Sequence, residues 1–158
     1  MPRIDLSSVP VRTGTIYPPP YDAIVAGRSS LRLGEAGGLT QFGVNLVTLP
    51  LGATSSMRHC HEAEDEFVMI TEGTCIMVTG AGETEMGPGD CAAFPAGDGD
   101  AHHFQNRSAA VVRFLVIGSR APREVVHYPD QGLKVVQEAG RSAFYHADGR
   151  PWPLFDDR

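Results

Sequence analysis

Between Gln41 and Ile117 short apolar runs are cut at close, regular intervals by glycine and proline, and this punctuation limits the fold more than anything else in the chain. Gln41-Phe42-Gly43-Val44-Asn45-Leu46-Val47-Thr48-Leu49 alternates with the period of two that puts one face of a strand indoors, and it stops at Pro50. The same signals predict strands over 56–61, 66–72, 74–79, 83–86, 90–95, 102–106 and 110–117, with Gly80-Ala81-Gly82 and Gly87-Pro88-Gly89 as turns. Further strands are predicted over 30–33, 124–128, 133–137 and 142–146, the last three as an extension of one sheet. No stretch sustains a 3.6-residue apolar period, so a helical core is excluded. The expectation is an all-β sandwich or barrel.

Ahead of the strands, residues 1–30 read as an extended arm. Tyr17-Pro18-Pro19-Pro20-Tyr21 favours a polyproline conformation with no ladder hydrogen bonds, and its aromatic residues predict that the segment packs against something. The rest, 31–158, fits one domain, ending in a turn-rich tail around Trp152, the only tryptophan.

Charge narrows the partners. The net charge of −6 comes with no basic stripe, which argues against nucleic acid. The first thirty residues hold no signal-like apolar run, and no apolar segment is long enough to span a bilayer, so a cytoplasmic chain with no membrane partner is expected. Cys60, Cys75 and Cys91 have no C-x-x-C spacing and do not make a disulfide framework. Twelve of the thirteen basic residues are arginine, which would suit an anionic substrate near a pocket.

The chemistry is concentrated in 52–73. His59 and His61 are two apart, so on a strand their imidazoles enter one space, and Glu66 returns on the next strand. Two imidazoles and a carboxylate suit a divalent transition metal better than calcium or magnesium. Cys60, between the histidines, faces away by alternation and reads as packing. His102 is a fourth candidate ligand, in a Pro/Gly-rich stretch about forty residues on. Met57, Phe104 and Phe114 are candidates for an apolar wall, with Arg58, Arg113 and Gln41 as polar ones. His103, His127 and His146 read as surface or hydrogen-bonded histidines. No nucleophile elbow, phosphate loop or Ser/His/Asp order is present, and no catalytic residue is assigned.

These two stretches resemble the paired motifs of the cupin superfamily. Gly52, His59, His61, Glu66 and Gly73 follow the first motif with one extra residue before His59. Gly89, Pro95, Gly97, His102 and Asn106 follow the second with four residues instead of two between Gly97 and His102. The insertion leaves His102 and His103 both open as the last ligand, and the spacing to Asn106 favours His102. The resemblance is firm over residues 40–118 and implies a double-stranded β-helix, or jelly-roll barrel. It also implies a metal held by His59, His61, Glu66 and His102, with zinc, iron, manganese and nickel all open. Asp65, Glu64 and Asn106 are candidates to orient the ligand rings. A homodimer with exchanged arms is a further implication. Two functions follow from such a barrel: a metal-dependent enzyme on a small carboxylate, sugar or aromatic substrate (isomerase, decarboxylase, lyase or oxygenase), or a non-catalytic small-molecule binding or sensing module.

Overall fold

The structure is a computed structural model, and it describes residues 3–153. Its strands are β1 (Val11–Thr13), β2 (Ser29–Arg32), β3 (Phe42–Leu49), β4 (Cys60–His61), β5 (Glu66–Glu72), β6 (Cys75–Thr79) and β7 (Gly82–Met86). They continue with β8 (Cys91–Phe94), β9 (His103–Gln105), β10 (Val112–Ser119), β11 (Arg123–Tyr128), β12 (Leu133–Glu138) and β13 (Arg141–His146). One four-residue helical turn, α1 (Leu33–Ala36), interrupts the series between β2 and β3.

These strands form three sheets, ordered β1-β2-β3-β10-β5-β8, β13-β12-β11-β4 and β7-β6-β9. Every pairing is antiparallel, as expected of a jelly roll. The long central ladder of β3 and β10 runs from Leu49 opposite Val112 to Phe42 opposite Ser119. It places Val47, Leu49, Val112 and Phe114 on the inner face, where Val68 and Ile70 of β5 join them. Leu49, Val68 and Ile70 are wholly buried, each worth about 1.5–3 kcal/mol relative to exposure.

A second apolar cluster stands opposite, made of Met57, Val126, Tyr128, Leu133 and Val135. Tyr17 and Tyr21 of the proline-rich segment pack against it, as do Phe144 and Trp152. The arm therefore lies along its own barrel, with β1 paired to β2 and the two tyrosines set into the second core.

One expectation needs correction. Residues 56–61 form a strand only at Cys60 and His61, with His59 making an isolated bridge to His102. Ser55, Ser56 and Met57 are instead buried in an irregular segment held by Ser55 N–H to the Phe104 carbonyl and by Phe104 N–H to Ser55 Oγ. The last three strands do extend one sheet, the one that begins at β4. That places β11 directly beside the histidine pair, with Val126 opposite His61.

Candidate metal centre

The turn after β5 shows why the first motif closes on glycine. Gly73 has φ +75°, and a Cβ there would collide with the carbonyl of Val111. Asn106 fixes the other end. Its buried amide donates to the carbonyls of Leu49, Pro50 and Ala110, pinning the loop that leads into the histidines. Its role is structural, and it orients no ligand ring.

Between the two cores lies a cavity of about 320 Å³. His59, His61, Glu66 and His102 all line it. His59, His61 and Glu66 offer ligand atoms within 4.8 Å of one another, a set that can hold a metal ion. His61 Nε2 is 3.1 Å and His59 Nε2 3.7 Å from Glu66 Oε2, while His102 Nε2 is 3.5 Å from Glu66 Oε1. Ring centroids are 5.1 Å apart for His59 and His61 and 4.7 Å for His59 and His102.

The donor set fits a cation. His59 Nδ1 lies 3.0 Å from the Met57 carbonyl, which can only accept, so the proton sits on Nδ1 and the Nε2 lone pair faces Glu66. Ser56 Oγ supports the same nitrogen at 3.1 Å. His102 is 1% exposed, and neither of its ring nitrogens has a hydrogen-bond partner, an arrangement that costs free energy unless something meets the lone pair. His103 turns elsewhere, with Nδ1 3.1 Å from the Ser56 carbonyl and Nε2 beside Gln105.

A family profile described as a cupin domain matches residues 45–118. The crystal structure of a sugar phosphate isomerase from a cupin superfamily of Silicibacter pomeroyi is 53% identical, with 96% of this chain and 97% of that one covered and a TM-score of 0.94. The chain is a cupin. A protein of Acidithiobacillus ferrooxidans with a provisional sugar phosphate isomerase assignment is 27% identical over 81% of each chain, at a TM-score of 0.73. The polyketide cyclase RemF of Streptomyces resistomycificus, 23% identical over 75% of this cupin and 79% of that chain, at a TM-score of 0.59, shares the fold. No protein of curated function matches this cupin in sequence.

Electrostatics at the centre of this cupin follow from burial and three rings. Burial alone would raise the Glu66 carboxyl, but the His102, His59 and His61 imidazoles packed around it hold it well below the usual carboxylate range. For His61, burial works against the charged form, yet the Glu66 carboxylate beside it raises the ring above its ordinary value. Burial lowers His102. It also pushes both phenols of the cavity upward, Tyr128 well above the ordinary range and Tyr17 less so, so that they stay protonated.

Several other sequence expectations are corrected. Asp65 is turned away, accepting from Ala96 N–H, whereas Glu64 accepts from Ala121 N–H and keeps a carboxylate oxygen within 4.8 Å of a His61 ring nitrogen. A carboxylate that the spacing does not reveal also stands beside His61, that of Glu124, whose Oε2 is 4.0 Å from Nδ1. Phe104 and Phe114 line the cavity, but Met57 is buried in the second core. Arg58 pairs with Asp130 at 2.7 Å and Arg113 with Glu72 at 2.9 Å, outside the cavity, and Gln41 is exposed. The polar lining comes instead from Tyr17, Arg28, Arg32, Asn45, Tyr128 and Gln137. Motif spacing carries no signal for these residues, because they converge from the arm and from sheets paired across the barrel.

Proposed function

We propose that this cupin is a metal-dependent enzyme acting on small hydroxylated anions, with aldose–ketose isomerisation of a sugar phosphate as its reaction class. The observation that carries the metal dependence is the buried, unpartnered imidazole of His102 facing the same carboxylate as His59 and His61. His59, His61, Glu66 and His102 would hold the ion. A bound divalent cation supplies Lewis acidity to a substrate oxygen. The isomerase reading is supported by the 53% identity to the Silicibacter pomeroyi protein over nearly the whole of both chains.

The chain's own residues suit that chemistry. Glu66 is the only acid among the described cavity residues, whereas Arg28 and Arg32 both line it, so an otherwise anionic protein offers a cavity that favours anions. Tyr128 has its ring 6.1 Å from that of His59. Its protonated phenol can donate a hydrogen bond to a substrate oxygen and so hold it in place. Phe104, Phe114 and Val116 form the apolar wall that limits water around a bound substrate.

Elemental analysis of the purified protein should find about one transition-metal ion per chain. His59→Ala or His61→Ala should lower that content sharply, whereas His146→Ala, whose ring packs 4.7 Å from Trp152, should leave it unchanged. The loaded protein should interconvert aldose and ketose phosphates, followed by NMR. A folded protein that cannot be loaded overturns the proposal. A loaded one that binds sugar phosphates without converting them moves this cupin to the binding class.

A further inference from the structure

Arg28 is a cation without a counter-ion among the described residues. Nη1 donates to the Ser55 carbonyl at 2.7 Å and Nη2 to the Gly14 carbonyl at 3.3 Å, and no carboxylate among the described residues pairs with it. The other arginine of the cavity, Arg32, is paired with Glu35 at 2.9 Å and stands half exposed. Arg28 is partly buried, and taking an uncompensated charge out of water is costly. Two carbonyls occupy two of the five N–H groups of a guanidinium and leave the rest of its planar fork unspent.

The surroundings of Arg28 supply donors. Tyr17 and Ser30 line the cavity with it. Arg28 is near enough to the phenols of Tyr17 and Tyr128 to act on both electrostatically. Ring to ring, the cavity steps from His59 to Tyr128 over 6.1 Å and from Tyr128 to Tyr17 over 5.4 Å. Arg28, Tyr17 and Ser30 thus share one cavity with the imidazoles, and Tyr128 neighbours both Tyr17 and His59. A molecule of a few carbons with a charged end and a hydroxylated end matches that layout.

We propose that Arg28, Tyr17 and Ser30 form an anion subsite for the phosphoryl group of the substrate, whose hydroxylated end then lies at His59, His61, Glu66 and His102. The assignment rests on the isomerase reading above and adds which residues select the phosphorylated substrate. A forked guanidinium and hydroxyl donors lining the same cavity suit the three oxygens of a phosphoryl group. It also gives the arm a task, since Gly14, Tyr17 and Arg28 all belong to it.

The test is calorimetric titration of the metal-loaded protein with a pentose 5-phosphate, the free pentose, inorganic phosphate and the matching unphosphorylated aldonate. The phosphorylated sugar should bind at least about tenfold more tightly than the free sugar, the scale of a hydrogen bond to a charged group. Arg28→Gln should abolish that preference with metal content unchanged, and Tyr17→Phe should weaken it several-fold. Equal affinity for the two sugars overturns the subsite, as does a full preference retained in Arg28→Gln. An Arg28-dependent preference for the aldonate over the phosphate overturns the phosphoryl assignment. If Arg28→Gln does not fold, Tyr17→Phe decides alone, since it removes one oxygen and keeps the ring packing. Arg28-dependent binding of inorganic phosphate supports the subsite even when no sugar phosphate is converted. Lost metal or absent turnover thus counts against the enzyme reading, and lost discrimination against the subsite.

Discussion

The Glu124 carboxylate accepts from the backbone N–H groups of Glu62, Ala63 and Val125 and lies 4.0 Å from His61 Nδ1, an atom with no hydrogen-bond partner of its own. A carboxylate in that position orients the ring and strengthens the lone pair at its other nitrogen. Glu124→Gln keeps an oxygen for the backbone donors but loses the charge. It should weaken metal binding about 10–100-fold, read by competition with a chelating dye, with the far-ultraviolet spectrum unchanged. His102→Ala should release metal and His103→Ala should not, since His103 is engaged with Ser56 and Gln105. At this scale the candidate ligands are readable, and of the other carboxylates beside His61 only Glu64 is. His59, His61, Glu66 and His102 announce themselves through spacing. Glu124 does not, because a charged residue inside an apolar strand looks solvent-facing until the pairing partner of that strand is known.

Among the elements, β5 has the bounds that alternation predicts, and most other strands agree within two residues, because each is bracketed by turn chemistry that acts locally. The segment ahead of β4 departs because Ser55 and Ser56 turn inward to serve Phe104 and His59, which a period-two pattern cannot express. The arm departs in another way. Its prolines say extended, and only the fold shows that Tyr17 meets Tyr128 edge-on at 5.4 Å. The second core that receives it is small, so each member matters. Leu133→Ala should cost about 2–5 kcal/mol in urea unfolding, because the side chain is 2% exposed. Deleting residues 1–25 should lower the melting temperature by uncovering the same cluster, and a melting curve identical to that of the full chain would show that the arm contributes nothing to it.

Taken as a whole, the molecule places its least compensated groups between two apolar cores, where a bound cation would add stability by mass action. The sign of its pH dependence follows from the rings. In the metal-free protein His61 is raised, so its contribution is complete below about 6.5 and fades as pH rises through the higher folded value. Glu66 is lowered, so its contribution is present above about 4.5 and is lost only as pH falls through the lower folded value. The lowered His102 opposes them, costing stability as pH falls below about 6.5. A cation must displace protons from these rings, so its stabilisation should grow with pH. The melting-temperature gap between loaded and chelator-stripped protein should therefore be wider at about pH 8 than at about pH 5.5; a gap independent of pH would mean that these imidazoles are not the groups that bind. No helix among the described residues is long and apolar enough to cross a membrane.

Phe94 lies flat against His102, with ring centroids 3.4 Å apart and planes 5° from parallel. An imidazole clamped in that way cannot swing aside to let an ion go one bond at a time. Departure of a bound ion would then wait for the sheet edge at β8 to loosen, and its exchange would become a slow clock set by breathing of the barrel. Isotope exchange should quicken in Phe94→Leu while the equilibrium occupancy changes little.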